Sequence, residues 1–311
     1  MSTKPLDTIL YRELSVVAAK EIVEIASPLL QELVNYSTNA FARCASSASG
    51  EENEDLAVLS LYLHIIEMSD GIEVLLSQSC PIPAMPLVRS SFEALVSIEY
   101  ILEADYVRRS LSWLADYVHK RLAFYESLIP STARGRAFRK ARSEDKTTRD
   151  FEWWRFPDPT EVQGAIANLQ RLLARSQFQP IEAEFARCKR RRKRRPYWYQ
   201  LFGGPPNLRE LAKSVNRHAQ YDMLYRHWST IAHAHDFSRF LTRTDKDEPA
   251  IKGLRDHSSL KGTAVFAAHF ILDATRVVLG KFRPGEETAF AKWYVTEVRE
   301  RFCLLTGEPD V

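Results

Sequence analysis

Cysteine is scarce in this chain, and its four residues are scattered. Cys44, Cys80, Cys188 and Cys303 form no C-x-x-C pair in the 311-residue sequence. The chain therefore contains neither a zinc ribbon nor a thioredoxin-type redox motif. We expect reduced thiols with structural roles.

Long apolar runs are also missing. No stretch of about 18 uninterrupted apolar residues occurs, and no apolar segment follows a basic N-terminal start. The most apolar late segment, TAVFAAHFILDATRVVL, is interrupted by His269, Asp273 and Arg276, which favours a buried helix over a membrane span. We therefore predict a cytoplasmic protein without a membrane partner.

The motifs of several large enzyme classes are absent. The sequence has no G-x-x-x-x-G-K-[ST] loop, no G-x-G-x-x-G, no G-x-S-x-G elbow and no H-E-x-x-H pair. These absences disfavour nucleotide hydrolysis, dehydrogenase chemistry and zinc proteolysis. No cofactor is predicted.

Helical periodicity is what the chain does contain. Apolar residues recur at steps of three and four over most of its length, as at Leu95, Ile98 and Leu102, and no convincing strand alternation occurs. The pattern predicts an all-α, multi-helix bundle. We expect one composite domain, made of an N-terminal helical half at 1–130, a basic and partly irregular insert at 131–195, and a C-terminal helical half at 196–311.

Positive charge is concentrated in the predicted insert. Residues 131–195 hold eighteen Lys and Arg against eight Asp and Glu, although the whole chain carries only +3. The candidate nucleic-acid contacts are Arg187, Lys189, Arg190, Arg191, Arg192, Lys193, Arg194 and Arg195. Tyr197, Trp198 and Tyr199 follow and would stack on bases if exposed. The alternative is a solvated, mobile charged face.

A helix predicted from about His218 to Leu241 carries the candidate catalytic pair. Arg226 and His233 are seven residues apart, and seven steps of about 100° return to nearly the same side. A metal-free site for phosphodiester cleavage needs little more than a proton-transfer group and a fixed cation. The spacing therefore allows guanidinium and imidazole to face one pocket.

Polar and aromatic side chains form a ridge on the same helix. Tyr221, Tyr225, Ser229 and His233 recur every four residues. The alternative to a functional ridge is ordinary packing, with Ser229 bonded to the helix backbone and His233 a satisfied core histidine. On an earlier helix, Arg89 and Glu93 are spaced to form an ion pair, which would either brace this ridge or satisfy itself.

A metal site is not predicted. His233, His235 and Asp236 are close in sequence, but residues 233 and 235 of a continuous helix point about 200° apart. No cysteine or further spaced acidic ligand accompanies them.

Two segments carry a family resemblance. RSSFEALVSIEYIL at 89–102 and PYWYQLFGG…LRELAK…YDMLYRHWSTIAH resemble the bacterial family called domain of unknown function 5677, over roughly residues 85–240. The positions that match are Arg89, Glu93, Tyr221, Tyr225, Ser229 and His233. This family name implies no activity.

Arg226, His227 and His233 also resemble the signature of the HEPN superfamily, all-α dimeric domains that often act as metal-independent ribonucleases in defence and toxin systems. That signature is an Arg, commonly followed by a polar residue, and a His after four to six intervening residues; here there are six.

The resemblance implies a HEPN-like helical core with additional helices, a homodimer, an RNA substrate, and a toxin or phage-defence role with a regulatory protein partner. It implies that His233 is the general acid or base and that Arg226 holds the phosphate. The competing hypothesis is a non-catalytic helical module that binds a partner protein or nucleic acid.

Overall fold

The structure is a computed structural model that describes residues 12–48, 53–148, 157–192, 195–232, 240–251, 255 and 257–307, with backbone alone at 191, 192, 232 and 251. Over these residues the regular secondary structure is helical apart from one small hairpin, so the predicted all-α class is confirmed. The chain groups into two compact units. The first is formed by Met1–Ala104 with Leu208–Val311, and the second by Asp105–Asn207.

The first unit contains most of the helices. They are α1 Arg12–Ala18, α2 Lys20–Ser47, α3 Asp55–Ser77, α4 Pro81–Glu103, α9 Leu208–Ser214, α10 His218–Gln220, α11 Arg226–Ala232, α12 Leu260–Phe282, α13 Glu287–Trp293 and α14 Arg299–Thr306. Two π-helical segments, π1 Tyr221–Tyr225 and π2 Tyr294–Val298, join α10 to α11 and α13 to α14. Pro81 begins α4, where its missing amide hydrogen costs nothing.

The core of the first unit surrounds α12. This helix packs against α2, α3 and α4, and its Phe270 and Ile271 are fully buried. By length and composition α12 is, among the described residues, the one helix apolar enough to cross a membrane. Its burial among three other helices instead confirms the predicted buried helix.

The second unit consists of α5 Tyr106–Leu128, α6 Ala133–Glu144, α7 Pro159–Leu173, α8 Gln179–Arg192 and two 3₁₀ segments, Ser176–Phe178 and Trp198–Gly203. Leu114 and Val118 of α5 share a buried cluster with Ile181 and Phe185 of α8 and with Leu201. This apolar cluster explains why α5 and the 3₁₀ segment at 198–203 belong to the same unit as the basic insert. The predicted insert, in contrast, covered only residues 131–195.

Side-chain caps begin helices α6 and α7 of the second unit. The Thr132 hydroxyl accepts a hydrogen bond from the Gly135 amide at 2.8 Å, and Asp158 accepts one from Thr160 at 2.6 Å. A Cβ atom at Gly135 would lie 1.7 Å from the Ile129 carbonyl oxygen. Glycine is therefore required at the point where α6 turns back against the end of α5.

One local prediction is wrong at the end of a helix. Strand β1 (Leu241–Arg243) pairs antiparallel with strand β2 (Pro249–Ile251). Leu241 therefore lies in a strand, and the described part of the helix predicted from His218 ends at Ala232. All three residues of β1 are exposed, so the sequence had no apolar and polar alternation to indicate a strand.

Candidate functional site

A buried ion cluster positions the start of the helix that carries the candidate site. Arg217, immediately before α10, donates to both carboxylate oxygens of Glu99 on α4, at 2.5 and 2.6 Å. It also donates to Asp273 on α12 at 2.7 Å. Because a guanidinium matches a carboxylate in a fixed two-point geometry, this cluster sets where the α10–π1–α11 run begins.

Aromatic packing holds the other end of this run. Trp228 of α11 is 4% exposed, and its ring meets Phe266 of α12 edge-on at 5.6 Å. The Tyr225 ring lies 6.1 Å from Phe92 of α4, and Phe92 in turn contacts Phe270 at 5.6 Å. The helix is therefore wedged against α4 and α12, with the residues between these contacts turned outward.

The π-helical segment changes the spacing of the predicted ridge. The Arg226 amide donates to the Tyr221 carbonyl five residues earlier, and the Tyr221 and Tyr225 rings stack with centroids 4.9 Å apart. A π turn inserts an extra residue into an α-helix and occurs often at functional sites. The four-residue spacing of the tyrosines does not indicate this insertion.

Arg89, Glu93 and Tyr225 form a compact polar triad between α4 and π1. The guanidinium of Arg89 donates to the Tyr225 hydroxyl at 2.6 Å, lies 4.5 Å from the centre of that ring and pairs with Glu93 at 3.2 Å. Burial raises the pKa of Tyr225 to about 12, an effect that Arg89 opposes and Glu93 reinforces. The tyrosine is therefore a neutral hydrogen-bonding group near neutral pH.

The triad combines the two roles considered for the Arg89–Glu93 pair. Arg89 satisfies part of its charge with Glu93 and also braces the ridge through Tyr225. Its Nε is buried and has no hydrogen-bond partner among the residues that the structure describes. The structure thus brings four of the predicted supporting residues together: Arg89, Glu93, Tyr221 and Tyr225.

A second group of charges lies on the outer side of the same run. Arg209 of α9 holds Asp222 through two hydrogen bonds, at 3.0 and 2.9 Å. This contact, with further attraction from Arg226 and His218, keeps the pKa of Asp222 below its ordinary value. Three cationic or potentially cationic side chains therefore surround one carboxylate.

Arg226 and its neighbour His227 are both exposed. Arg226 forms no ion pair with any part of the chain that the structure describes, because Asp222 is engaged by Arg209. We call Arg209, His218, Arg226 and His227 the cationic face. It presents an uncommitted guanidinium to solvent, and a guanidinium is well suited to bind a phosphate.

His233, the predicted partner of Arg226, lies outside the described residues, as do His235 and Asp236. The geometry of the Arg226–His233 pair therefore stays a prediction. Ser229, which lies on α11, is half-buried. Over the described ranges, no group of three or more His, Cys, Asp or Glu side chains is arranged to hold a metal ion.

The two ends of the basic run, residues 187–195, are held by ion pairs. Arg187 binds Glu184 through two contacts of 2.6 Å. Arg195 donates to Asp116 of α5 at 2.8 Å and lies 5.1 Å from the centre of the Phe185 ring. These two predicted nucleic-acid contacts therefore have structural partners.

The middle of the run is different. Lys189 and Arg190 are exposed. The side chains of Arg191 and Arg192, and the whole of Lys193 and Arg194, lie outside the described residues. Of the three aromatic residues that follow, Tyr197 is 57% exposed, whereas Trp198 is buried. Trp198 is thus unavailable for stacking on a base.

Several pairs of polar residues were not predicted from the sequence. His64 of α3 and Ser90 of α4 are joined by a 2.8 Å hydrogen bond, and His119 and Glu182 by another of 2.8 Å. Both pairs join residues on different helices, so sequence spacing carried no signal of them. Asp222, in contrast, lies four residues from both His218 and Arg226, which was a visible pattern.

The family assignment follows from the same segments. The model for a family of unknown function, DUF5677, matches residues 55–249. The chain belongs to this family. The match includes α4, the cationic face and the whole second unit, and it confirms the predicted membership over a longer range than the quoted segments. No curated protein and no solved structure matches the chain.

Proposed function

We propose that this DUF5677 member is a metal-independent, HEPN-like ribonuclease that uses Arg226 and His233. The observation that carries the proposal is the exposure of Arg226 without an ion-pair partner in the described part of the chain. A cation that already served a structural ion pair would bind a substrate phosphate poorly. Arg226 instead lies beside Arg209 and His218, which add positive potential.

The proposed reaction is an internal transesterification of RNA. His233 takes the proton of a ribose 2′-hydroxyl, whose oxygen attacks the adjacent phosphorus while the bond to the 5′ oxygen breaks. A second imidazole protonates the leaving oxygen, so the products are a cyclic phosphate and a free 5′-hydroxyl. Arg226 stabilises the charge that builds on the phosphate oxygens. Imidazole suits both proton transfers because its unperturbed pKa lies near neutrality.

The proposal includes a homodimer in which each protomer contributes its Arg226 and His233. It also includes RNA contacts from the exposed Lys189 and Arg190 and the rest of the basic run, with Arg187 and Arg195 keeping structural roles. A cytoplasmic toxin or phage-defence effector, held in check by a regulatory protein, is the biological role that suits such chemistry.

The test is purified protein incubated with total RNA in the presence of EDTA. We expect wild-type protein to cleave RNA and both His233→Ala and Arg226→Ala to lose at least about a hundredfold in rate. Lys20→Ala removes an exposed charge of α2 that is 68% accessible and should cleave like wild type. Cleavage by His233→Ala at the wild-type rate would remove the catalytic assignment.

A second candidate is a non-catalytic helical module that binds nucleic acid or a partner protein. The Arg89–Glu93–Tyr225 triad favours it, because these groups bind one another as scaffolding does. On this hypothesis neither wild type nor His233→Ala cleaves RNA, and both bind it equally in a gel-shift assay. The same set of proteins therefore distinguishes the two candidates.

A further inference from the structure

The second unit contains a cavity that the proposed ribonuclease site does not use. It has a volume of about 340 Å³ and lies between α5 and α8, with one contribution from the start of α6. Its titratable lining residues are His119, Glu126, Arg134, Glu182, Lys189 and Arg195. The volume is within the range of about 300 to 1,000 Å³ that is usual for small-molecule sites.

Contacts between α5 and α8 hold the cavity's polar wall in place. His119 Nε2 is bonded to Glu182 at 2.8 Å, and the imidazole meets the Phe185 ring edge-on at 5.4 Å. Arg195 covers Phe185 at 5.1 Å while it is tied to Asp116. These contacts leave one imidazole nitrogen of His119 without a partner among the described residues.

Positive charge exceeds negative charge in the lining of the cavity, because three cations, Arg134, Lys189 and Arg195, outnumber two carboxylates, Glu126 and Glu182. Arg195 is held by Asp116 at 2.8 Å. Arg134 pairs with Glu126 at 3.0 Å, but its side chain is 61% exposed and is able to turn toward a ligand. Lys189 is exposed and has no ion-pair partner in the described part of the chain. An anionic group is therefore attracted to the mouth.

The wall between these charges is apolar and built from small side chains. Ala123 of α5 and Ala186 of α8 lie on it with Leu122, and they leave a slot where larger residues would fill the space. An apolar slot beside the unpaired Lys189 and the exposed Arg134 matches a flat organic ring that carries a phosphate.

We propose that the α5–α8 cavity binds a nucleotide, with its phosphate on Lys189 and Arg134 and its base in the alanine-lined slot. The His119–Glu182 pair then offers a hydrogen-bonding edge to the base. The ligand is either a free mononucleotide or the phosphorylated end of an RNA strand, because both present the same chemistry. This site is independent of Arg226 and His233.

Calorimetric titration of the full chain with AMP, adenosine and inorganic phosphate tests the proposal. We expect AMP to bind at least about tenfold more tightly than either adenosine or phosphate, because only AMP uses both the slot and the cations. Equal affinity for AMP and adenosine, equal affinity for AMP and phosphate, or no heat with AMP at millimolar concentration would overturn it.

Three variants connect the binding to the cavity. Lys189→Ala should weaken AMP binding about tenfold. Ala186→Trp fills the slot from an exposed position without changing charge, and it should weaken binding at least as much. Lys140→Ala removes a 76% exposed charge of α6 outside the cavity and should bind like wild type. Wild-type affinity in both cavity variants would contradict the assignment.

A competition experiment identifies the source of the nucleotide. Displacement of AMP by a 5′-phosphorylated RNA oligonucleotide, but not by its 5′-hydroxyl form, supports the end of an RNA strand as the ligand. Failure of both oligonucleotides to displace bound AMP supports the free nucleotide. Displacement by both forms alike would overturn a phosphate-specific pocket.

Discussion

The basic run and the cationic face of this protein differ in a way that their sequences do not indicate: the more densely charged region has more of its cations held in ion pairs. The basic run ends in seven consecutive Lys and Arg residues, yet Arg187 and Arg195 at its ends are held by Glu184 and Asp116. The cationic face has only four cationic or titratable side chains spread over residues 209–227. It nevertheless leaves Arg226 uncommitted, because the nearby Asp222 is already engaged by Arg209.

The difference teaches that charge density along a sequence does not measure the charge available to a ligand. Arg187 is engaged by a carboxylate three residues away, but Arg195 is engaged by Asp116, which is 79 residues away. The carboxylates of Asp116 and Glu184 are buried, whereas the Asp222 carboxylate in the Arg209–Asp222 pair is 35% exposed. Ion pairs of the first kind are costly to break, and those of the second kind contribute little to stability.

The largest effect should come from removing the carboxylate that anchors the end of the basic run. Asp116→Ala leaves Arg195, whose side chain is 35% exposed, and the more exposed Lys120 without their shared buried partner. Because both cations retain some access to water, we expect a loss of about 3 kcal/mol in the free energy of unfolding, at the low end for broken buried pairs. Urea denaturation followed by circular dichroism measures it.

Asp222→Ala is the matched control from the cationic face. It removes the carboxylate that holds Arg209, in a more exposed setting than that of Asp116. We expect no resolvable change in stability. Equal losses in the two variants would contradict the distinction between an anchored and an open cationic region.

A smaller effect should appear as a pH dependence of the second unit. The two hydrogen bonds from Arg187, with one from the Phe202 amide, lower the pKa of buried Glu184 from about 4.5 to about 2. A carboxylate with a depressed pKa stabilises the folded state fully above about pH 4.5, and this contribution is lost as the pH falls toward 2.

Glu184→Gln should remove that dependence. The amide lacks the charge and the second acceptor oxygen, so we expect a loss of about 2 kcal/mol at pH 7, typical of hydrogen bonds to a charged group. Urea midpoints at pH 5, 4 and 3 should fall for wild type and fall less for the variant. Parallel declines in both proteins would show that Glu184 does not carry the effect.

The smallest effect concerns the salt dependence of RNA binding. Each exposed cation that contacts a phosphate contributes about one to the slope of log K against log salt concentration. Lys189→Ala with Arg190→Ala should therefore reduce the slope by about two, and Arg187→Ala should change it by less than one because Glu184 already neutralises that charge. Fluorescence anisotropy with a labelled RNA between 50 and 200 mM salt measures the slope. A change of one or more in the slope for Arg187→Ala would contradict the distinction between cations held in ion pairs and exposed, unpaired cations.

Much of the local architecture was predictable from the sequence. Steps of three and four predicted the helices, the interruption of the apolar segment by His269, Asp273 and Arg276 predicted a buried helix, and RSSFE with YDMLYRHWS indicated the family. The hairpin at 241–251 was missed because its first strand is wholly exposed. The π turn was missed because Tyr221 and Tyr225 keep the same sequence spacing in an α-helix and in a π-helix.

Sequence alone determined the class of fold, the family and the residue types available for chemistry, because periodicity and composition are local properties. Only the tertiary structure decided which of those residues are free to act. It joined Arg89 to Tyr225, Arg195 to Asp116 and His119 to Glu182, and it left Arg226 and Lys189 facing solvent. Hydrogen bonds and ion pairs form between groups that are near in space, and that proximity arises only when the helices pack.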